Sequence, residues 1–423
     1  MSPVRYSSQQ FRILLVLTLL NFVNYIDRQV VFPLFSPIKD EFLLSDQQLG
    51  LLGTVFSLVH APLNVLLGYA ADRASRPRIM TLGVLFWSVA TFLSGMAGSF
   101  HALLAARALV GVGEAAYAPA GTAMLTGAFP SEIRARVQGF FNVGMFIGGA
   151  AGLAVGGLIA DRMGWRPAFF LVGLPGLVLA AAMYRLPDVP RPPRTETVPL
   201  RHLLRVPAYV AMLVSGWFVT FAAQAYVAWG TEFVRRYKGF TLSQAGVSLG
   251  TTVVVAGVLG VMTGAWLADR FARTLPWGRV AVVLAGFLLA TPLVLGALHT
   301  TDKVMFLTLF FAGAFFMSWY HGPVIAIIHD LVPERAHATA VGVTYFLVNF
   351  SAPAAAPWLV GSIADRYGLL AGMHAAVAAQ LIGGLLYLLV IHFIRRDGLQ
   401  HPVLARYRVL SPVSAVQSIG EIR

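Results

Sequence analysis

The sequence of 423 residues contains no cysteine. That excludes a disulfide framework, thiolate metal sites and cysteine nucleophiles, and it leaves the redox compartment unmarked. Charge is also scarce. Asp, Glu, Lys and Arg make up 12% of the chain, against about 25% in soluble domains. So few charges, with 57% hydrophobic residues in runs that recur to the end, exclude an ordinary soluble domain and place the whole chain in a membrane. No metal-ligand spacing and no nucleophile elbow is present. The glycine-rich stretch "GVGEAAYAPAG" (111–121) lies inside an apolar run and follows no strand, so it does not read as a phosphate loop. The expectation is a protein that is not an enzyme and carries no cofactor or metal.

The charge that is present is one-sided, with a net +13. Its placement argues against nucleic acid. Arg73, Arg76 and Arg78 follow the second apolar run, and Arg134 and Arg136 the fourth. Arg185, Arg191, Arg194, Arg201 and Arg205 surround the middle of the chain. Arg270, Arg273 and Arg279 follow the eighth run, and Arg395, Arg396, Arg406 and Arg408 the last. The alternate loops are poorer in basic residues, apart from Arg235, Arg236 and Lys238. This positive-inside bias implies an even number of spans with both termini in the cytoplasm of a cell (inner) membrane. The N-terminal run has no small-residue cleavage site and reads as an uncleaved first span.

Each run approaches or exceeds the roughly 20 residues a membrane-spanning helix needs, and none alternates as a barrel strand would. The expected spans cover residues 11–35, 47–71, 79–98, 102–128, 137–160, 167–184, 207–233, 242–268, 280–298, 304–328, 338–364 and 369–394. A Pro- and Arg-rich linker, "LPDVPRPPRTETVPLRH", divides them six and six. The expected organisation is a helical bundle at 1–185, a linker at 186–206, a second bundle at 207–395 and a tail at 396–423. The halves repeat one another. "DRASR" from Asp72 returns as "DRFAR" from Asp269, "PSEIRARVQG" from Pro130 aligns with "PERAHATAVG" from Pro333, and "GLIADRMG" from Gly157 returns as "GSIADRYG" from Gly361. Three repeats in one order imply an all-α fold of twelve helices in two pseudo-symmetric bundles. That arrangement points to a transporter with its site at midplane between them.

On these residues the chain resembles the major facilitator superfamily. Gly68, Asp72, Arg73, Arg76 and Arg78 fit that family's loop signature between the second and third helices, and Arg107, Gly111 and Gly113 its fourth-helix signature. Within the superfamily it is similar to the Spinster-like proteins through "NYIDRQ", "RALVGVGEAAYAP", "GWRPAFFLVGLPGL", "GPVIAIIHDLVPERAHATAVG" and "VGSIADRYG". "NYIDR" and "GVGEA" also resemble organic anion:cation symporters. The fifth span has glycines at 144, 148, 149, 152, 156 and 157 but lacks the Gly-Pro of drug antiporters.

Buried charge supplies the candidate site. Asp27 and Arg28 lie deep in the first span, in "NFVNYIDRQVV", where a charge costs about 2.5–3.5 kcal/mol. Adjacent helical residues point about 100° apart, so each needs its own partner. Arg107 and Glu114, seven apart on one face of the fourth span, are the candidates. Burial favours the neutral form of a carboxylate and a nearby arginine the charged form, so an arginine that moves hands a proton to its acid. Asp27 and Glu114 are the expected proton sites, Arg107 the expected contact for a substrate anion, and Arg28 a gate or second contact. The resemblance implies the same roles. Asp72, Arg73 and Arg76 with Asp269, Arg270 and Arg273 form an expected latch on the cytoplasmic side. His60 and His321 are titratable groups inside spans. Tyr25, Tyr226, Trp319, His321 and Asn349 are further candidates for the substrate cavity.

The resemblance implies a monomeric, proton-coupled transporter of an amphipathic anion, such as a lysophospholipid or sphingolipid-like molecule, working by alternating access in the lipid bilayer. A symporter of small organic anions and a non-transporting membrane receptor or scaffold are the competing readings. No nucleic-acid partner is expected.

Overall fold

The computed structural model describes residues 7–189 and 199–399. Arg191 and Arg194 of the linker, and Arg406 and Arg408 of the tail, lie outside the described residues. All regular structure among the described residues is helical. With no water in the hydrocarbon, each backbone N–H and C=O must be satisfied within the protein, and a helix does this inside a single segment.

The first half comprises α1 (Ser8–Val30), a 3-10 turn Phe32–Leu34 leading into α2 (Phe35–Phe42), α3 (Asp46–Ala71), α4 (Arg76–Gly95), α5 (Phe100–Glu114), α6 (Ala118–Ala128), α7 (Ser131–Met163) and α8 (Arg166–Tyr184). After the short α9 (Leu200–Leu203), the second half comprises α10 (Pro207–Lys238), α11 (Leu242–Ala272), α12 (Gly278–His299), α13 (Lys303–Met317), α14 (Pro323–Leu331), α15 (His337–Tyr367) and α16 (Leu369–Asp397). Eleven of the resulting segments are long and apolar enough to cross a membrane, counting α1 with α2 and α13 with α14. The twelfth is the pair α5 and α6. The helices outrun the apolar stretches by several residues, α7 beginning at Ser131 and α10 ending at Lys238. Backbone hydrogen bonding continues into polar turns that a hydropathy reading leaves out.

Two spans are broken, and at matching places in the two halves. The fourth span breaks after Glu114, and α6 restarts with Pro119 in its first turn. The tenth breaks through a 3-10 turn at Ser318–Tyr320, and α14 restarts at Pro323. Proline has no N–H to donate and its ring collides with the carbonyl four residues back. The chain tightens instead, with Tyr117 N–H bonded to the Glu114 carbonyl at 3.1 Å and His321 N–H to Ser318 at 3.2 Å. Glu114 therefore sits at a helix break rather than in a continuous helix, as the seven-residue spacing alone had implied.

Within the first half, α1 packs along α7, and α4 packs on α5 and α8; in the second, α10 lies along α16 and α15, and α12 packs on α13 and α16. The halves meet through α3 on α15 and α7 on α11. Close approach along α1 comes from a row of glycines on α7. A Cβ on Gly144, Gly148 or Gly152 would come within 3.0 Å of the carbonyl oxygen of Thr18, Phe22 or Ile26 respectively. Membrane helices lack a hydrophobic drive to associate, so such backbone contact is what holds them. Gly148→Leu is expected to lower the melting temperature of the purified protein, because overpacking costs about 1–3 kcal/mol. Gly139→Ala on the same helix, with nothing within 4 Å of the added carbon, is expected to leave it unchanged, and a scattering-based melt in detergent compares the two.

Candidate functional site

The four buried charges resolve into two pairs across α1 and α5. Arg107 Nη1 donates to Asp27 Oδ1 at 3.2 Å, and Thr91 Oγ1 on α4 donates to the other oxygen, Oδ2. Both side chains of this pair are 1% exposed. Arg28 Nε donates to Glu114 Oε2 at 2.7 Å; here the carboxylate is fully enclosed while the arginine side chain is 21% exposed. Neighbours on α1 thus reach different partners, as their 100° separation requires. The ring of Phe56 is close to both guanidiniums, with its centroid 5.1 Å from Arg28 and 5.5 Å from Arg107. Arg28 also lies 5.2 Å from the ring of Tyr25, and its Nη2 is 2.9 Å from His60 Nε2 on α3.

The pairs differ chemically. Asp27 has a donor on each oxygen, whereas Glu114 Oε1 is buried with no hydrogen-bond partner, as is Arg107 Nε. An unpaired carboxylate oxygen in a low-dielectric interior is costly, and a proton or a moving donor would relieve that cost. The sequence reading put Arg107 against the substrate anion. In this conformation Arg107 is enclosed against Asp27, and Arg28 is the arginine that reaches accessible space.

The other expected site residues are dispersed. Tyr226 is 7% exposed and bonds Gln380 on α16 at 3.0 Å, with Gln380 in turn donating to Thr291 on α12. It lies inside the second half. Trp319 sits in the break of the tenth span, its Nε1 buried without a partner, against Phe315 and Phe316. His321 follows that break and is exposed, as is Asn349 on α15. Asp72 pairs loosely with Arg76 at 3.9 Å, and Asp269 with Arg279 at 3.4 Å, each within its own half. Arg73 stacks on Tyr69, and Arg270 and Arg273 are exposed.

The polar contacts that join the halves gather at the end of the bundle opposite these residues. Arg236 on α10 makes a two-point bond to Asp46 on α3, both distances 2.7 Å, and also bonds Glu232. Lys39 adds a 2.5 Å bond to Asp46, and Ser36 Oγ donates to Glu232. Flanking this knot are two matching caps. Asp365, at the end of α15, accepts the N–H groups of Asp46 at 2.7 Å and Gln47 at 2.9 Å in the first turn of α3. Asp161, at the end of α7, accepts those of Leu242 at 3.2 Å and Ser243 at 2.7 Å in the first turn of α11. Each capped helix also carries its own capping box, Ser45 with Gln48 and Thr241 with Gln244. A carboxylate at a helix N-terminus is favoured by the aligned peptide dipoles. The sequence expectations include none of these contacts, although the repeated "IADR" of 159–162 and 363–366 holds both aspartates.

Removing Arg236 takes from Asp46 its two-point partner and from Glu232 its closest cation, leaving Lys39 on the one and Arg235 on the other. Arg236→Gln is expected to loosen this end. Thr231→Cys, at a site 1% exposed whose hydroxyl has no partner, reports it in a chain with no other thiol. Maleimide should label that thiol several-fold faster in the Arg236→Gln background, and an equal rate would mean the knot does not hold the halves together.

The comparisons agree with this architecture. The family model described as Major Facilitator Superfamily matches residues 17–357. The chain is 29% identical to an MFS-type efflux pump of Mycolicibacterium smegmatis, across 90% of this chain and 92% of that one. It is 28% identical to protein spinster homolog 1 of Xenopus tropicalis, across 84% and 73% respectively, and 25% identical to the D-galactonate transporter of Escherichia coli, across 89% and 94%. Among solved structures, a bacterial homologue of the human lysosomal transporter Spinster, inward-facing and occupied, superposes with a TM-score of 0.85 at 24% identity, covering 93% of this chain and 99% of that one. With twelve spans in two repeated halves and the family match over most of its length, the chain belongs to the Major Facilitator Superfamily, as a Spinster-like multi-pass membrane transporter and not an enzyme.

Proposed function

We propose that this protein is a proton-coupled secondary transporter of an amphipathic anion, with Glu114 as its principal proton site and Arg28 as the first contact of the substrate's anionic group. The observation that carries the reading is the asymmetric pair Arg28–Glu114, in which the arginine is partly exposed and the acid is enclosed with one oxygen unpaired. An anion that draws Arg28 away leaves Glu114 uncompensated, and an uncompensated buried carboxylate takes up a proton. Substrate and proton then bind as a linked pair. Asp27 and Arg107 form the enclosed second pair, which reaches a ligand only after a rearrangement of α1 against α5.

Alternating access is supported by the knot at Asp46, Glu232 and Arg236. Arg73, Arg76, Arg78, Arg270, Arg273 and Arg279 lie at the opposite, termini-bearing end, which the positive-inside bias assigns to the cytoplasm. On that orientation the structure has its outer side closed. Asp72 and Asp269 make their contacts within their own halves here and would latch the cytoplasmic side in the other state. The lipid-like substrate class is what the resemblance carried by "NYIDRQ" and "RALVGVGEAAYAP" implies, and the sugar-acid class rests on the likeness to the galactonate transporter.

A thermal-shift panel of lysophospholipids, sphingoid phosphates and sugar acids discriminates among these classes, because a binder stabilises the folded state by mass action. Stabilisation by the amphiphiles and not by the sugar acids is the expected result. Arg28→Ala should weaken the binder at least about tenfold, the loss of one charge-assisted bond worth about 1.5–3 kcal/mol. Glu114→Gln keeps an acceptor for Arg28 but cannot ionise. In proteoliposomes loaded with the binder it should still exchange substrate across the membrane yet fail to accumulate it against a pH gradient. Gradient-driven accumulation in that variant would remove Glu114 from the proton path, and a panel with no binder would favour a receptor or scaffold.

A further inference from the structure

The 2.9 Å contact between Arg28 Nη2 and His60 Nε2 has only one chemical form. A guanidinium carries donors and no acceptor, so the imidazole nitrogen facing it must be the acceptor. His60 is therefore neutral in this state, with its ring proton on Nδ1. From this we propose that His60 is a positioning residue that parks Arg28 on Glu114, and that a proton arriving at His60 Nε2 ejects the guanidinium and presents it to the substrate anion. The inference rests on the reading of Arg28 as the substrate contact and deepens it by naming what holds and what releases that arginine.

Several features hold the imidazole where it can act. Its ring stacks on Phe56 at 5.3 Å and 19°, and Phe56 is the ring that lies under Arg28. The backbone of α3 reaches this depth because Gly111 on α5 has no side chain: a Cβ there would lie 2.8 Å from the Phe56 carbonyl oxygen and 3.3 Å from the His60 nitrogen. Arg28 is thus gripped at three points, by Glu114 through Nε, by His60 through Nη2 and by the faces of Phe56 and Tyr25.

The charged and titratable groups grouped on this side of α3 are Tyr25, Asp27 and Arg28 on α1 and Arg107 and Glu114 on α5. Tyr117, in the break that follows α5, is occupied with the Leu17 carbonyl at 2.9 Å, and α6 brings no ionisable side chain. From α15, Asp365 meets α3 only at its far end, where it caps Asp46 and Gln47; Tyr345 is the titratable group of its middle stretch. Protonation of Nε2 puts two donors and two like charges 2.9 Å apart. Of the two, Arg28 is the one on a long side chain with an accessible surface. Its departure leaves Glu114 with no donor on either oxygen, which is the state that accepts a proton. His60 thereby controls the arginine whose departure lets the buried acid take up a proton.

Two substitutions separate the acceptor from the titration. His60→Gln retains an oxygen that accepts from Nη2 but cannot gain a proton, and His60→Leu keeps apolar bulk without an acceptor. The readout is phenylglyoxal modification of Arg28 in the purified full-length protein, quantified by mass spectrometry and normalised to the exposed Arg73. At mildly alkaline pH, Arg28 should react several-fold faster in His60→Leu than in the native protein, and at the native rate in His60→Gln. On acidification the normalised rate should rise in the native protein and stay flat in His60→Gln. Equal rates in the native and leucine proteins, a glutamine variant that matches leucine, or no acid-induced rise in the native protein would each overturn the proposal. If the leucine variant does not fold, the native and glutamine titrations still decide. No substrate or proton gradient enters this measurement, so a failure of proton coupling in the Glu114→Gln uptake assay remains a separate result.

Discussion

A charge inside a membrane-spanning bundle has to find its counter-charge within the protein, because lipid offers none. In this transporter that constraint organises the first half. Asp27 and Arg28 are consecutive in α1, and α5 answers them with Arg107 and Glu114 at a spacing that places both on one face. The two ion pairs hold α1 and α5 in register, Thr91 draws in α4, and His60 and Phe56 draw in α3. Four helices are thus tied by a cluster at a depth where little else is polar. The helix break after Glu114 follows from Pro119 and leaves the acid at the end of a half-helix.

The pairs share a composition but not an environment. Asp27 has a donor on each oxygen and is enclosed together with its arginine. Glu114 holds one donor on a partly exposed arginine and keeps a bare oxygen. A buried pair replaced by apolar side chains often costs a protein little, while a half-broken pair costs it a great deal. The proposed coupling uses the second property, since it would link departure of the arginine to arrival of a proton.

Between the halves the logic changes from side-chain pairs to backbone contact. Gly246 and Gly157 let α11 and α7 touch at carbonyl distance, and Gly50 and Gly361 do the same for α3 and α15. At the rim the aspartates closing α7 and α15 cap the helices of the opposite half, and Arg236 bridges Asp46 and Glu232. Small-residue faces in close backbone contact thus end in a few strong, directional bonds. The pseudo-symmetry of the repeats makes the two caps equivalent, so both sides of the seam carry the same bond.

How much of this was legible in the chain depends on the range of the interaction concerned. Spans, helix type, the division into halves and the superfamily follow from runs of apolar residues, from the twofold repeat and from the family's loop and fourth-helix signatures, all properties of contiguous sequence. The four charged residues were legible too, because an ion at bilayer depth is conspicuous wherever it sits. The pairing was not. Whether Asp27 faces Arg107 or Glu114 depends on the rotation of α5 against α1, which is a property of the packed bundle. The same geometry decided that Arg28 and not Arg107 is accessible, that Tyr226 packs on Gln380 inside the second half, and that His60 must accept a hydrogen bond. The interhalf caps lie in the repeated Ile-Ala-Asp-Arg of 159–162 and 363–366. An aspartate at a helix end has many uses, though, and only the juxtaposition of α7 with α11 and of α15 with α3 gives these two their partners. Sequence determines which groups the membrane forces to pair, and tertiary packing decides with which partner, because pairing depends on helix rotation and depth that no single helix encodes.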